Sequence, residues 1–149
     1  MISLHIDRNL PGPPERVWRA LTDAAALAAW FWPQHLEPAA TTDPRPGGRF
    51  RIAAARGPSG EPASGFAVEG EYTVVRPPER LVFTWRWEGD PEETLVTIEL
   101  SAVDTGTALR LTHERFGDDA ARDNHLVGWT DCLDRLPAWL TQVSPSPLI

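Results

Sequence analysis

The strongest constraint on the fold is an alternation of inward-facing and polar residues that runs, with interruptions, from residue 48 to residue 114. Alternation with a period of two residues is typical of β-strands that bury one face. Turn-forming residues separate the alternating segments and no helical pattern lies between them, so hairpins should join the strands into an antiparallel sheet. The inward-facing positions are Phe50, Ile52, Ala54, Phe66, Val68, Tyr72, Val74, Leu81, Phe83, Trp85, Trp87, Val96, Ile98, Leu100, Leu109, Leu111 and His113.

The residues before this region predict one further strand and two short helices. Apolar and polar residues alternate over residues 2–7, which indicates a strand, and a proline-rich turn follows it. Proline is favoured in the first turn of a helix, so we predict a helix over residues 15–21. A second short helix over residues 24–29 is predicted, with Thr22 or Asp23 as its cap and an aromatic Trp-Phe-Trp-Pro sequence after it.

A long amphipathic helix is predicted near the end of the chain, over residues 118–142. Its first turns are rich in aspartate, which is favourable near the positive end of the helix dipole. With about 100° of rotation per residue, one stripe of this helix is apolar and should cover the sheet. Pro137 should bend or fray the last turns. The stripe consists of His125, Leu126, Trp129, Cys132, Leu133, Leu136 and Leu140.

These elements together predict an α+β fold in a single domain over residues 1–149. The order is a strand, two short helices, an antiparallel sheet of five or six strands and a long helix. The length of 149 residues fits one domain. A sheet that curves around one helix cannot fill its core tightly at every point, so we expect a cavity between the sheet and the helix.

Composition excludes several classes of function. The chain has 14 basic residues, all arginine and scattered singly, against 21 acidic ones, for a net charge of −7. A nucleic-acid-binding surface would need a basic stripe. The sequence has neither a secretory signal nor the run of about 18 apolar residues that a membrane span requires. Cys132 is the single cysteine and cannot form an internal disulfide, so we expect a cytoplasmic protein.

Three sequence blocks form a pattern in a fixed order: PERVWRALTD at residues 14–23, WFWP at residues 30–33 and RPGGRF at residues 45–50. These blocks resemble the START-like (SRPBCC) superfamily, nearest to the branch related to the C-terminal domain of the activator of Hsp90 ATPase. Later blocks agree in order and spacing, and the likeness runs from residue 2 to about residue 141. The resemblance implies a helix-grip fold, in which a curved antiparallel sheet wraps around the C-terminal helix and leaves a hydrophobic cavity.

The resemblance implies less about activity. Members of the superfamily bind lipids, hormones and polyketides, and a few catalyse cyclisation or hydrolysis. The eukaryotic activator carries a separate N-terminal domain that engages the chaperone, and 149 residues leave no room for such a domain. Activation of an Hsp90-type chaperone is therefore not our first expectation for this chain.

The side chains that could carry chemistry favour neither a metal site nor a nucleophile. No two of the four histidines have the close spacing of zinc ligands. A three-ligand set of His113, His125 and Cys132 is the weaker alternative to ordinary buried side chains. Cys132 in the middle of a helix lacks the environment that lowers a thiol pKa. His113 is either a hydrogen-bonded core residue, which we favour, or a polar contact for a ligand. We predict no metal and no cofactor.

We therefore predict a binding protein rather than an enzyme, with a small apolar or aromatic molecule as its partner. Trp85 and Trp129 would supply stacking surface, and His113, His125 or Tyr72 would orient a polar end. Two alternatives stay open: a chaperone-associated module that acts through its surface, and a small cyclase or hydrolase that uses the same cavity. The predicted ligand-binding residues are Phe50, Phe66, Tyr72, Trp85, His113, His125, Trp129, Cys132 and Leu136.

The predicted fold assigns no role to five aromatic positions, which are residues 30–32, Trp87 and Trp139. The turn at residues 30–32 could line the rim of the cavity or form the contact of a homodimer. Trp32, Trp87 and Trp139 lie at positions that the family pattern does not account for. Their places in the fold decide whether they serve packing or a ligand.

Overall fold

The structure is a computed structural model and describes residues 2–57 and 67–142. Strands and helices follow each other in the predicted order. A single turn of 3-10 helix over Gln34–Leu36 precedes the second strand. The elements are β1 (Ile2–Leu10), α1 (Pro14–Thr22), α2 (Ala24–Trp30), β2 (Pro38–Thr42), β3 (Arg49–Ala54), β4 (Ala67–Arg76), β5 (Arg80–Trp87), β6 (Thr94–Val103), β7 (Gly106–Phe116) and α3 (Asp119–Thr141).

The strands within residues 2–57 and 67–142 form one antiparallel, curved sheet with the order β1-β7-β6-β5-β4-β3-β2. The sheet has seven strands, so the predicted count of five or six was too low. The additional strand is β2, at one edge, which pairs only with β3. Its sequence, PAATT, begins with proline and has no large apolar residue. It therefore lacks the alternation of apolar and polar residues that would predict a strand.

The two faces of the sheet differ in chemistry, as the alternation predicts. The inner face is apolar and packs against α3, with Leu111 and Val96 completely buried. The outer face carries ion pairs between neighbouring strands: Arg80 with Glu99 and Arg86 with Glu69, each at 2.7 Å. Such exposed ion pairs contribute little to the free energy of unfolding. The fold is therefore stabilised by burial of the apolar inner face rather than by these pairs.

The helix caps explain where the helices begin. The carboxylate of Asp23 accepts a hydrogen bond from the amide of Ala26 at 2.9 Å, so Asp23 rather than Thr22 caps α2. Asp118 caps α3 in the same way through the amide of Ala121, at 2.8 Å. α3 continues past Pro137 to Thr141. No helix in residues 2–57 and 67–142 is long and apolar enough to cross a membrane.

The buried stripe of α3 is shorter than predicted. Its buried residues begin at Trp129, whereas Leu126 is 38% exposed and Val127 is 71% exposed. Leu126 lies on nearly the same side of the helix as Leu133, but seven residues, or about 10 Å, closer to its N-terminus. At that level His125 and Trp129 face the sheet, and Leu126 remains at the surface.

Trp139 has a structural role at the end of α3. The guanidinium of Arg16, on α1, lies 5.0 Å from the centre of the Trp139 ring. The same group donates to the carbonyl oxygens of Leu140 at 3.0 Å and Gln142 at 3.1 Å. A cation near a helix C-terminus interacts favourably with the helix dipole, and its contact with the face of an indole ring stabilises it further. Arg16 therefore holds the last turn of α3 against α1.

Gly70 allows β4 to lie close to its neighbours and provides a test of this packing. A Cβ atom at Gly70 would lie 1.8 Å from the carbonyl oxygen of Thr84 and 2.7 Å from the ring of Phe50. We expect Gly70→Ala to lower the free energy of unfolding by about 3 kcal/mol, as measured by urea denaturation. The matched control is Gly128→Ala in α3, where a Cβ meets no atom within 4 Å. Because alanine favours helix, the control should gain about 1 kcal/mol; equal stability of the two variants would contradict the packing.

Candidate functional site

An open cavity of about 320 Å³ lies between α3, the end of β5 and the turn after α2. Its walls are mainly aromatic, and we refer to it as the aromatic cavity. Asn124, Gly128 and Asp131 are exposed and lie at its solvent side. The lining residues are Phe31, Trp32, Trp85, Trp87, Asn124, His125, Gly128, Trp129, Asp131 and Cys132.

Ring packing and one glycine explain why the space is open. Trp32 and Trp87 are nearly parallel, with ring centres 6.1 Å apart and planes at 10°. Trp85 and Trp129 pack together with centres 5.0 Å apart. Gly128 has no side chain, and a Cβ atom there would meet nothing within 4 Å. The rings contact one another, and no side chain from the described part of the chain fills the space in front of Gly128.

A second space, of about 30 Å³, lies deeper between the sheet and α3. Phe50 and Tyr72 line it, together with Trp85 and Trp129. The rings of Phe50 and Phe83 pack edge to face with centres 5.2 Å apart. This inner space is about the volume of one water molecule, so side chains occupy almost all of the region behind the aromatic cavity.

The structure divides the predicted ligand-binding residues into groups. Trp85, His125, Trp129 and Cys132 line the aromatic cavity. Phe50 and Tyr72 line only the inner space. His113 and Leu136 are completely buried and line neither space. Phe66 lies outside the described residues.

Sequence reasoning did not place Phe31, Trp32, Trp87 and Gly128 at the site. The signal for the first two is the aromatic turn at residues 30–32, for which the sequence predicts either the rim of the cavity or a dimer contact. Phe31 and Trp32 line the cavity, whereas Trp30 is buried and its indole nitrogen donates to the carbonyl of Ala20 at 2.8 Å. For Gly128 the sequence contains no signal, because a missing side chain matters only beside its spatial neighbours.

His113 is part of a buried hydrogen-bond chain. The indole nitrogen of Trp129 donates to His113 Nδ1 at 2.9 Å. Because Nδ1 accepts, the network assigns the proton of the neutral ring to Nε2, which donates to Thr94 Oγ1 at 2.6 Å. The Thr94 hydroxyl donates in turn to the Trp85 carbonyl at 3.2 Å. Both ring nitrogens are used, so the ring is bonded as a core histidine and has no nitrogen left for a ligand.

Burial also keeps His113 uncharged. Burial, and to a smaller extent the nearby His125, lowers the pKa of His113 from 6.5 to about 3. A charged imidazole would have to donate from Nδ1 as well, and that nitrogen faces the indole N–H of Trp129. His113 is therefore a neutral connector between β7 and α3.

His125 connects β5 to α3 at the cavity. Its Nε2 accepts from the indole nitrogen of Trp87 at 2.9 Å. Its Nδ1 donates to the carbonyl of Ala121, one turn earlier in α3, at 2.7 Å. The Trp87 ring is thereby held in the cavity wall through α3, and the two ring nitrogens of His125 are used in that contact.

Cys132 and Tyr72, two further ionisable residues in this region, are neutral as well. Burial raises the pKa of the Cys132 thiol to about 12, and the nearby Arg135 offsets only part of that effect. Burial, together with the charge of Asp43, raises the pKa of Tyr72 above its ordinary range. The buried thiol is therefore protonated and is a poor nucleophile. Within the described ranges, no three His, Cys, Asp or Glu side chains, His113, His125 and Cys132 included, form a group able to hold a metal ion.

Residues 11–141 match the model of the family described as Activator of Hsp90 ATPase homolog 1-like protein. The chain belongs to this family. The match confirms the resemblance to the START-like superfamily and the helix-grip fold that it implied. Comparison with curated proteins finds no match.

Solved structures of similar proteins share the fold. Protein CV1439 from Chromobacterium violaceum is 30% identical, with a TM-score of 0.79 over 93% of this chain and 96% of that one. Protein MLL2253 from Mesorhizobium loti is 26% identical, with a TM-score of 0.78 over 95% of this chain and 98% of that one. DynU16, from the dynemicin biosynthetic locus, is 24% identical with a TM-score of 0.78; the match covers 98% of this chain and 49% of DynU16 and shows the fold alone.

Arg135 attaches the aromatic turn to α3 in this member of the family. Its Nε donates to the carbonyl of Trp30 at 3.2 Å, and its Nη2 donates to the carbonyl of Phe31 at 2.6 Å. Its Nη1 donates to the carboxylate of Asp131 at 2.5 Å. These bonds satisfy carbonyl groups at the end of α2 that have no helical partner. Arg135 is thus a positioning residue for Phe31 in the cavity wall.

The first test of this site concerns the pH dependence of stability. The pKa of His113 is lower in the folded protein than in the unfolded chain, so its neutral form favours folding above pH 6.5. That contribution is lost as pH falls from 6.5 towards 3, by about 1.4 kcal/mol per pH unit. When the pH is lowered from 7 to 5, the free energy of unfolding of the wild type should therefore fall by about 2 kcal/mol more than that of His113→Asn.

Urea denaturation at the two pH values measures that difference. The same loss of stability in both proteins would contradict a buried neutral His113. If the variant does not fold, the ¹⁵N chemical shifts of the His113 ring in the wild type provide the answer. They should stay at neutral values down to pH 5.

The second test concerns the attachment of the aromatic turn. We expect Arg135→Met to lower the free energy of unfolding by about 2 kcal/mol, because two carbonyl groups lose a charged donor. The indole N–H signals of the cavity tryptophans should also shift in the ¹H–¹⁵N spectrum. Arg122→Met is the matched control on α3, because Arg122 forms ion pairs with the exposed carboxylates of Asp119 and Asp123 and its loss should change stability by about 0.5 kcal/mol or less. Equal effects of the two substitutions would rule out the attachment.

Proposed function

We propose that this protein binds a small, uncharged aromatic molecule in the aromatic cavity. The observation that carries the proposal is an open space of about 320 Å³ with five aromatic rings in its walls, beside an inner space of only about 30 Å³. That volume lies at the lower end of the range of small-molecule sites, which are mostly apolar with a few polar groups. Aromatic walls favour a flat aromatic ligand because rings stack or pack edge to face.

The rigidity of the walls supports the proposal. Trp87 is held by His125, Trp129 by His113 and Phe31 by Arg135, each through a hydrogen bond within the protein. A site whose side chains are already ordered loses little conformational entropy when a ligand binds. The contacts that hold these rings do not use a ligand, so the cavity is formed in advance.

The charges around the cavity support an uncharged ligand. Asp131 lines the cavity, but its carboxylate is bonded to Arg135. Cys132 is a neutral thiol and both nitrogens of His125 are bonded within the protein. Members of the START-like superfamily commonly bind small ligands, which agrees with this reading. We place the activity in the cytoplasm, where a single unpaired thiol is compatible with reducing conditions.

Filling the cavity tests the proposal. Gly128→Leu places a side chain in the space in front of Gly128, and leucine is a better helix former than glycine. We expect the wild type to bind fluorene, a flat tricyclic hydrocarbon, in equilibrium dialysis, and Gly128→Leu to bind it at least about tenfold more weakly. The free energy of unfolding of the variant should not fall below that of the wild type.

Ala138→Leu is the matched control, since Ala138 is exposed on the same helix and does not line the cavity. It should bind fluorene like the wild type. Equal binding of fluorene to the wild type and to Gly128→Leu, or absence of binding of both fluorene and its ketone 9-fluorenone to the wild type, would overturn the proposed function.

A further inference from the structure

One buried polar atom at the site has no partner in the described part of the protein. The indole nitrogen Nε1 of Trp85 is buried and has no hydrogen-bond acceptor there. Trp85 is only 5% exposed, and it lines both the aromatic cavity and the inner space. A buried donor without an acceptor is costly, and native structures contain few of them. Its position in a cavity wall therefore calls for a functional explanation.

Three other tryptophans donate their indole N–H to an acceptor within the protein, at 2.8 to 2.9 Å. Two of these acceptors are histidine nitrogens next to the cavity. Trp85 differs from them although it lies at the centre of the same aromatic cluster. The three satisfied pairs are Trp30 with the carbonyl of Ala20, Trp87 with Nε2 of His125, and Trp129 with Nδ1 of His113.

Neither His113 nor His125 has a free nitrogen lone pair that could accept a hydrogen bond from Trp85. The His113 ring lies 5.7 Å and the His125 ring 6.5 Å from the Trp85 ring, measured between centres. Each ring uses one nitrogen to accept from another tryptophan and the other nitrogen to donate. The hydroxyl of Thr94 is already bonded to His113 and to the backbone carbonyl of Trp85. An occupant of the cavity whose wall Trp85 forms can therefore supply the acceptor for Trp85 Nε1.

We propose that the ligand is a flat aromatic ketone or quinone whose carbonyl oxygen accepts a hydrogen bond from Trp85 Nε1. This inference rests on the proposed function and specifies the chemistry of the ligand. The rings of the wall contact the flat body of the ligand, and the single unused donor selects for one acceptor atom on it. A hydrocarbon of the same shape leaves the donor unpaired, so it binds more weakly.

The charges at the site favour a neutral acceptor over an ion. A carboxylate would lose its hydration in an apolar cavity, and Arg135 is already engaged with Asp131 and the carbonyl of Phe31. A cation would be attracted by the aromatic faces, but it would leave Trp85 Nε1 without an acceptor. A carbonyl oxygen satisfies the donor without bringing a charge into the cavity.

The test compares 9-fluorenone with fluorene, which have the same tricyclic frame and differ by a carbonyl group in place of a methylene group. We expect the wild type to bind fluorenone about tenfold more tightly than fluorene in equilibrium dialysis. The ketone is the more polar of the two, so hydrophobicity alone predicts the opposite order. In Trp85→Phe, which keeps a ring but lacks the N–H, the preference for fluorenone should disappear.

A second readout reports the hydrogen bond itself. The Trp85 indole N–H signal in the ¹H–¹⁵N spectrum should move downfield when fluorenone is added and should not do so with fluorene. Because this measurement uses the wild type, it remains decisive if Trp85→Phe does not fold. Trp87→Phe is the matched control: it should weaken both probes together and leave the preference for the ketone intact.

The outcomes separate the two proposals. If neither compound binds the wild type, the proposed function is wrong. If fluorene binds as tightly as fluorenone, the cavity binds aromatic molecules but the role of Trp85 is wrong. Tighter binding of N-methylacridinium, a flat cation of similar size, than of fluorenone would also overturn the carbonyl assignment. A preference for fluorenone that survives in Trp85→Phe would do the same.

Discussion

The rest of the structure depends on the buried hydrogen-bond chain that joins α3 to the sheet. Trp129 donates to His113, His113 donates to Thr94, and Thr94 donates to the backbone of Trp85. Apolar contacts alone would allow a helix to rotate or slide over an aromatic surface with little change in energy. A chain of buried polar groups allows one position only, because any shift leaves several of them unpaired. That single position sets where Gly128 and His125 lie.

The aromatic cavity follows from this position of α3. With Trp129 fixed, His125 reaches Trp87 on β5, and Arg135 reaches the carbonyl groups of the turn after α2. Segments far apart in the chain thus each receive a polar contact from the same helix. Gly128 lies between these contacts and leaves the space open. The cavity is therefore a product of how α3 is held and not a defect of packing.

Most of the secondary structure could be predicted because strands and helices with one buried face produce local periodic patterns. β3 to β7 and α3 were recognised in this way, with ends that differ by a few residues. β2 was missed because PAATT carries no such pattern, and its strand conformation comes from pairing with β3. The burial of Leu126 was predicted wrongly, since its position on the helix is suitable but no packing partner lies opposite it.

The sequence by itself determined the α+β class, the order of the elements and the aromatic character of the inner face. These properties depend on neighbouring residues and on helix and strand periods. Only the tertiary structure decided that Phe50 and Tyr72 line a nearly filled space and that Trp32 and Trp87 line an open one. It also decided that the indole N–H of Trp85 has no acceptor among the described residues. Space and hydrogen-bond partners depend on distances between residues far apart in the chain, and no local pattern encodes those distances.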